Sequence, residues 1–168
     1  MGLDITAYAK VTLVRAIEVK DYNKDEDAQS LVDSGDHRYF CQDSDDRPQS
    51  EGMPAGIYAT SGASFGFRAG SYGGYNQWRD QLAEMMLGAP AHALRNAAGA
   101  DAGRPFVELI CFSDCEGFIG PKTCAKLSAD FANNQEKANK GDEYFRAKYA
   151  DWRKAFAIAS EGGAVDFH

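Results

Sequence analysis

Apolar and polar residues alternate through LDITAYAKVTLVRAIEV near the start of the chain. Leu3, Ile5 and Ala7, then Val11 and Leu13, then Ile17 and Val19 hold the apolar phase. A period of two belongs to a half-buried strand, so the segment predicts one long strand or two short ones. From Lys20 to Met53 the period vanishes among Asp, Ser, Gln and Gly, and only His37-Arg38-Tyr39-Phe40 offers an anchor. This predicts a long loop excursion that can be deleted while the fold survives. Ile57 to Thr60 and Ser64 to Arg68 read as a hairpin turning at Ser61-Gly62, with Ile57, Phe65 and Phe67 available for burial.

A helix follows the glycines. Tyr75, Trp78, Leu82 and Met85 recur at helical spacing, and Gly88 with Pro90 stops them. A weaker helical turn is expected in AHALRNAA, before the loop GADAGRP. PFVELICF is largely apolar on both phases, the pattern of a buried strand at the centre of a sheet. Pro121 then opens a helix that buries Cys124, Leu127 and Phe131. Asp142 caps another that carries Phe145, Tyr149, Trp152, Phe156 and Ala159 up to Gly162-Gly163. AVDFH closes the chain as a short strand with Val165 and Phe167 on one side. The order of elements predicts an α+β fold in a single domain: a largely antiparallel sheet covered on one face by about three helices.

Composition adds solvency to that picture. The 168 residues include ten Phe, eight Tyr and two Trp, enough to fill a core without staples. Net charge is −7, and Lys20 to Gly56 alone carries eight Asp and two Glu against two Lys and two Arg. That balance argues against direct nucleic-acid binding and leaves either a solvated loop or an acidic docking patch. No apolar run reaches membrane-spanning length and the opening MGLDITAYAK lacks a signal-peptide pattern, so a cytoplasmic protein is expected. Gly2 and Thr6 satisfy only the loose myristoylation pattern. Cys41, Cys111, Cys115 and Cys124 form no C-x-x-C pair, and their spacing fits no standard zinc module.

Two places share one design, a strand, then a glycine-containing polar loop, then a helix: Phe67 to Tyr75 and Phe112 to Pro121. Amide groups at such helix starts favour an anion. Arg68, Gly70, Ser71, Tyr72, Gly73, Gly74 and Arg79 are therefore candidate binders of a phosphate or carboxylate. The alternative is that the glycines serve a tight turn, Ser71 caps the helix, and Tyr72 and Tyr75 pack locally. Neither a P-loop nor G-x-G-x-x-G is present. Asp114 and Glu116 sit where carboxylates do acid–base work or hold a metal, or else cap the next helix or pair with Arg68 and Arg79. Ser71, Ser113 and Cys115 are nucleophile candidates without an assignable histidine, although His37 or His168 can arrive through the fold, while His92 reads as a surface residue. Asp21, Asn23 and Asp25 match the first calcium-loop positions, but Glu26 and Val32 break the pattern. No cofactor, metal or catalytic set is expected, and an enzyme is the lesser reading.

The segments GLDITAY, FGFRAGSYGGYNQWRDQLA, PFVELICFSDCEGFIGP, AKLSADF, YADWRKAF and GGAVDFH together resemble an uncharacterised family of small proteins encoded in bacteriophages and prophages. The likeness is spread over about half the chain and leaves out Lys20 to Met53 and Ala89 to Arg104. It implies an accessory protein made in the bacterial cytoplasm, of the kind that antagonises host defence, anti-CRISPR proteins among them. On that reading the partner is a host or phage protein, met through the acidic stretch or the loop bearing Tyr72, Tyr75 and Arg79. A small-molecule site built on the two glycine loops, and a structural phage subunit, are the alternatives.

Overall fold

The computed structural model describes residues 2–41, 48–96, 103–112 and 115–168. In chain order the elements are β1 (Gly2–Ala16), α1 (Val19–Tyr22), α2 (Glu26–Asp33), β2 (His37–Phe40), a 3-10 turn (Pro48–Ser50), β3 (Gly56–Ser71), α3 (Tyr72–Leu87) and α4 (Ala91–Asn96). Then follow α5 (Val107–Ile110), β4 (Gly117–Ile119), α6 (Pro121–Asn133), α7 (Gln135–Ala138), α8 (Glu143–Ala159) and β5 (Ala164–Phe167).

The strands form one sheet in the order β2-β3-β1-β5-β4, and every described pairing is antiparallel. The alternation in the first segment is what places β1 at its centre. Leu3, Ile5 and Ala7 are fully buried on the face that also carries Phe67 and Ala69 of β3 and Val165 and Phe167 of β5. That face packs on α3, α6 and α8. Trp78 of α3 and Trp152 of α8 stack with ring centroids 5.9 Å apart, and Tyr75, Phe145 and Phe156 surround them. The α+β layering follows from the sequence, and the three long helices start and stop where their residues direct. Ser71 Oγ accepts from the Gly74 amide at 3.1 Å, Gly88 ends α3 at φ 71°, and Asp142 Oδ1 accepts from the Phe145 amide at 2.7 Å.

Two expected elements come out differently. The segments on either side of Ser61-Gly62 form no hairpin: both pair with β1, and β3 runs continuously from Gly56 to Ser71. Gly62 sits at φ 79° within that strand, and register shifts between Leu3/Asp4, Tyr8/Lys10 and Leu13/Arg15 bend the two long strands. The run Phe106–Phe112 is not the central strand either. Phe106 adopts φ 65°, and the single helical turn α5 follows, with Phe106, Leu109, Ile110 and Phe112 buried. A run apolar on both faces apart from Glu108 satisfies helix and strand alike, and the central place is already held by β1 between β3 and β5.

The acidic excursion is also more than a loop. Beyond α1 and α2, β2 pairs with β3 as the anchor residues suggested, and Phe40 is fully buried. The curl of the sheet carries Phe40 of one edge strand to within 5.3 Å of Phe118 on the other, with Tyr8 and Tyr58 completing an aromatic cluster on the second face. Gln49 and Ser50 are buried as well. Deleting Lys20 to Met53 therefore removes an edge strand and opens this cluster, which corrects the expectation that the stretch is dispensable for folding.

Candidate functional site

The first glycine loop is built as a turn. Gly70, at φ 134°, stands opposite Leu3 one residue before the end of β3, and Ser71 supplies the cap of α3. A methyl on Gly70 would lie 3.4 Å from the Tyr144 hydroxyl, whereas Gly73 faces open space. Arg68 is exposed and lies 3.9 Å from Asp4 Oδ2, so its charge is already shared with a carboxylate. Its carbonyl accepts from Lys148 Nζ at 2.6 Å. Tyr72 is 36% exposed, but Tyr75 and Arg79 are buried. That corrects the expectation that Tyr75 and Arg79 reach a ligand or partner. Arg79 instead points into the interior, where Nη1 donates to the carbonyl of Phe112 at 2.6 Å and to that of Ile110 at 3.5 Å, and Nη2 donates to Asn76. Its guanidinium lies 4.6 Å from the centre of the Tyr75 ring. The helix after the first loop thus does meet the second loop, but through a packed interior contact.

The second helix start is occupied by the protein itself. Glu51, at φ 60°, places Oε1 2.6 Å from the Thr123 amide, and the Gly120 amide donates to the Gln49 carbonyl at 2.9 Å. An anion-binding position at the N-terminus of α6 is therefore filled by a carboxylate from the acidic stretch. Replacing Glu51 with Ala is expected to lower stability by about 1 kcal/mol, the usual scale for a lost helix cap. Urea denaturation checks this, and an unchanged midpoint would show that the contact adds nothing. Asp114 and Ser113 lie outside the described residues. Cys115 is exposed, and Glu116 accepts from the Cys41 thiol at 3.9 Å. Cys124 is buried in the core, where desolvation pushes its thiol up. Asp25 caps α2 through the Ala28 amide at 2.9 Å and pairs with Arg15 at 2.5 Å, and these bonds hold its carboxyl below the ordinary range. The calcium-like triplet is thus part of a helix boundary. Among the described residues no group of three His, Cys, Asp or Glu side chains could hold a metal ion.

Strand pairing assembles a polar cluster that no single stretch of sequence contains. Thr6 of β1 and Phe118 of β4 both stand opposite Asp166 of β5. Arg38 of β2 donates from Nε to the Tyr8 hydroxyl at 3.1 Å, and Thr6 Oγ1 lies 3.0 Å from His168 Nε2. Burial pushes the Asp166 carboxyl up to about 8, against the opposing pull of the Phe167 amide and of Arg38. The Tyr8 phenol is raised by burial and by Asp166. Across the end of the sheet the register aligns Arg68 with Asp4, Asp4 with His168, and Glu116 with the row just before the Gly117–Phe167 pair. His168 therefore does arrive through the fold. The sequence signal was an acid between Val165 and Phe167 in an otherwise apolar strand, and its neighbours come from positions 6, 8 and 38.

A third feature is external. Residues Thr12 to Ala16 are exposed at every position, with Leu13 at 43% and Val14 at 49%. Val19 is 39% exposed just beyond. Beside them a hollow of about 560 Å³ is lined by Arg15, Ala16, Ile17, Glu18, Asp21, Asp25, Pro54 and Ala55. Apolar side chains open to water beside a carboxylate-rich hollow are what a docking surface offers.

Together these features define an α+β protein with a curled antiparallel sheet, a half-buried acid on one face and an exposed acidic-apolar ribbon at one end. No protein-family model matches the chain, no curated protein matches it, and no solved structure matches it. No helix among the described residues is long and apolar enough to cross a membrane.

Proposed function

We propose that this chain is a small phage-type accessory protein that acts by binding a host or phage protein, as an antagonist of host defence such as an anti-CRISPR does. The observation that carries the binding part is the exposure of Leu13, Val14 and Val19 beside the carboxylates of Glu18 and Asp21. The setting, a bacterial cytoplasm, rests on the resemblance of the segments from GLDITAY to GGAVDFH. The surface lies on the ribbon and the first acidic helices, at a distance in the sheet from the glycine loop. Catalysis has no part in this reading.

The test is affinity capture from lysate of the bacterial host with the wild-type protein and with a Leu13→Asp, Val14→Asp double variant. A stoichiometric protein held by the wild type and reduced at least about tenfold by the variant is expected, since apolar anchors dominate such contacts. Both forms should melt alike, because the two side chains are exposed. Equal capture by both, or no capture by the wild type, would remove this reading.

A further inference from the structure

β1 changes its surroundings halfway along. Ile5 to Tyr8 lie between β3 and β5, whereas Lys10 to Ala16 pair with β3 alone. The change is made by Gly162, which sits at φ 100° and accepts from the Val11 amide at 3.2 Å before the chain turns into β5. Beyond that bond no described strand lies on the outer edge of β1. The acidic helices reach β2, where Tyr22 stacks on Tyr39 at 3.9 Å, and meet the end of β1 through the Arg15–Asp25 pair. A free edge presents amides and carbonyls in strand geometry, and proteins ordinarily blunt it with proline or charge. Here Thr12 to Ala16 contain no proline, and their single charge, Arg15, is paired with Asp25. The register shift between Leu13 and Arg15 makes Val14 the extra residue of the strand, which gives two adjacent exposed apolar side chains.

We propose that the edge of β1 from Thr12 to Ala16 takes up an extended, basic segment of the partner protein as a sixth strand of the sheet. This rests on the interaction reading above and specifies its geometry. Main-chain hydrogen bonds to the edge supply affinity, and alternate side chains of the incoming strand supply specificity. Its apolar residues cover Leu13 and Val14. Its basic residues answer Asp21 in the hollow beside the end of the strand, where Glu18 and Asp25 already pair with Lys20 and Arg15, and the net −7 of the whole chain. A second copy of this chain fits the edge poorly, since each copy carries a net −7 and brings the same carboxylates.

The probe is a blocked peptide of alternating Lys and Val, seven residues long, added to the intact protein and followed by amide hydrogen exchange. Exchange of the amides in Thr12 to Ala16 is expected to slow at least about tenfold. A peptide N-methylated at alternate residues, and one with Glu in place of Lys, should give no such slowing, because the first cannot complete the ladder and the second is repelled. Binding by the methylated peptide as strong as by the unmethylated one, protection elsewhere, no protection, or edge protection that follows self-association would each overturn strand addition. The two readings separate in the captured complex. Capture that depends on Leu13 and Val14 while the edge amides stay unprotected keeps the interaction reading and discards the strand.

Discussion

The Asp166→Asn variant is expected to gain stability over the wild-type protein as the pH rises from 4 to 8, and to keep a constant advantage above pH 8. The carboxyl titrates near 3.8 in the unfolded chain and near 8 in the fold, where burial opposes its charge. Between those values the native state binds the proton and the unfolded state does not, so wild-type stability falls with rising pH. Asparagine removes the titration and so removes this slope. A difference of about 4 pH units sets a ceiling of about 6 kcal/mol, and because water reaches part of the side chain about half of that is expected. For a chain of this length that corresponds to roughly 10 °C in melting temperature. Denaturation of both proteins at pH 4, 6, 8 and 9 measures it. Parallel pH profiles would mean that the acid is solvated as in an open chain. The groups set around Asp166 are Arg38 from β2, Tyr8 and Thr6 from β1 and Phe118 from β4, so Arg38→Met should carry the wild-type fall in stability to higher pH by removing a cation that favours the charged carboxylate.

The largest loss is expected at Arg79. Its guanidinium is 1% exposed and holds the carbonyls of Phe112 and Ile110 together with Asn76. Arg79→Met keeps the length and apolar stem but removes the donor that these acceptors share. Each such loss costs about 1–3 kcal/mol, so a total of about 4 kcal/mol is expected. The melting temperature should fall by about 10 °C or more. Arg79→Lys keeps the charge and loses the fork, and should lie between the two. Amides of the segment from Ile110 to Phe112 should lose exchange protection first, since Arg79 ties their backbone to α3. A change below about 1 kcal/mol would show that the interior accommodates those carbonyls by other means.

Local features carried much of the fold. The three long helices are readable because each supplies its own start and apolar stripe: Ser71 with Tyr75 and Trp78, Pro121 with Cys124, Leu127 and Phe131, Asp142 with Trp152 and Phe156. The failures share a different cause. Ile57 to Arg68 contain a turn dipeptide, but a strand of sixteen residues can absorb Gly62 when a partner as long as β1 runs beside it. Phe106 to Phe112 are largely apolar on both phases, Glu108 excepted, so only the neighbours that enclose them decide between a helical turn and a strand. Arg79 looked available because it stands near glycines in sequence, yet the phase of α3 turns it inward with Tyr75 and Trp78. The candidate site was legible only as a cap and a pair of helix starts. One start is sealed by Ser71 and the other by Glu51, a residue seventy-two positions away from the amide it serves.

The sequence by itself determined the class of fold, the starts of the long helices, most of their buried stripes and the acidic character of the second segment. These depend on periodicity and on bonds made within a few residues. Only the tertiary structure decided that Asp166 meets Arg38 and Tyr8, that Phe40 closes against Phe118, and that β1 lies between two strands over its first half and, among the described residues, pairs with β3 alone over its second. Those outcomes are set by which strands pair, in what register, and where Gly162 lets the chain leave. Pairing energy is shared among residues more than a hundred positions apart, and no local pattern encodes it.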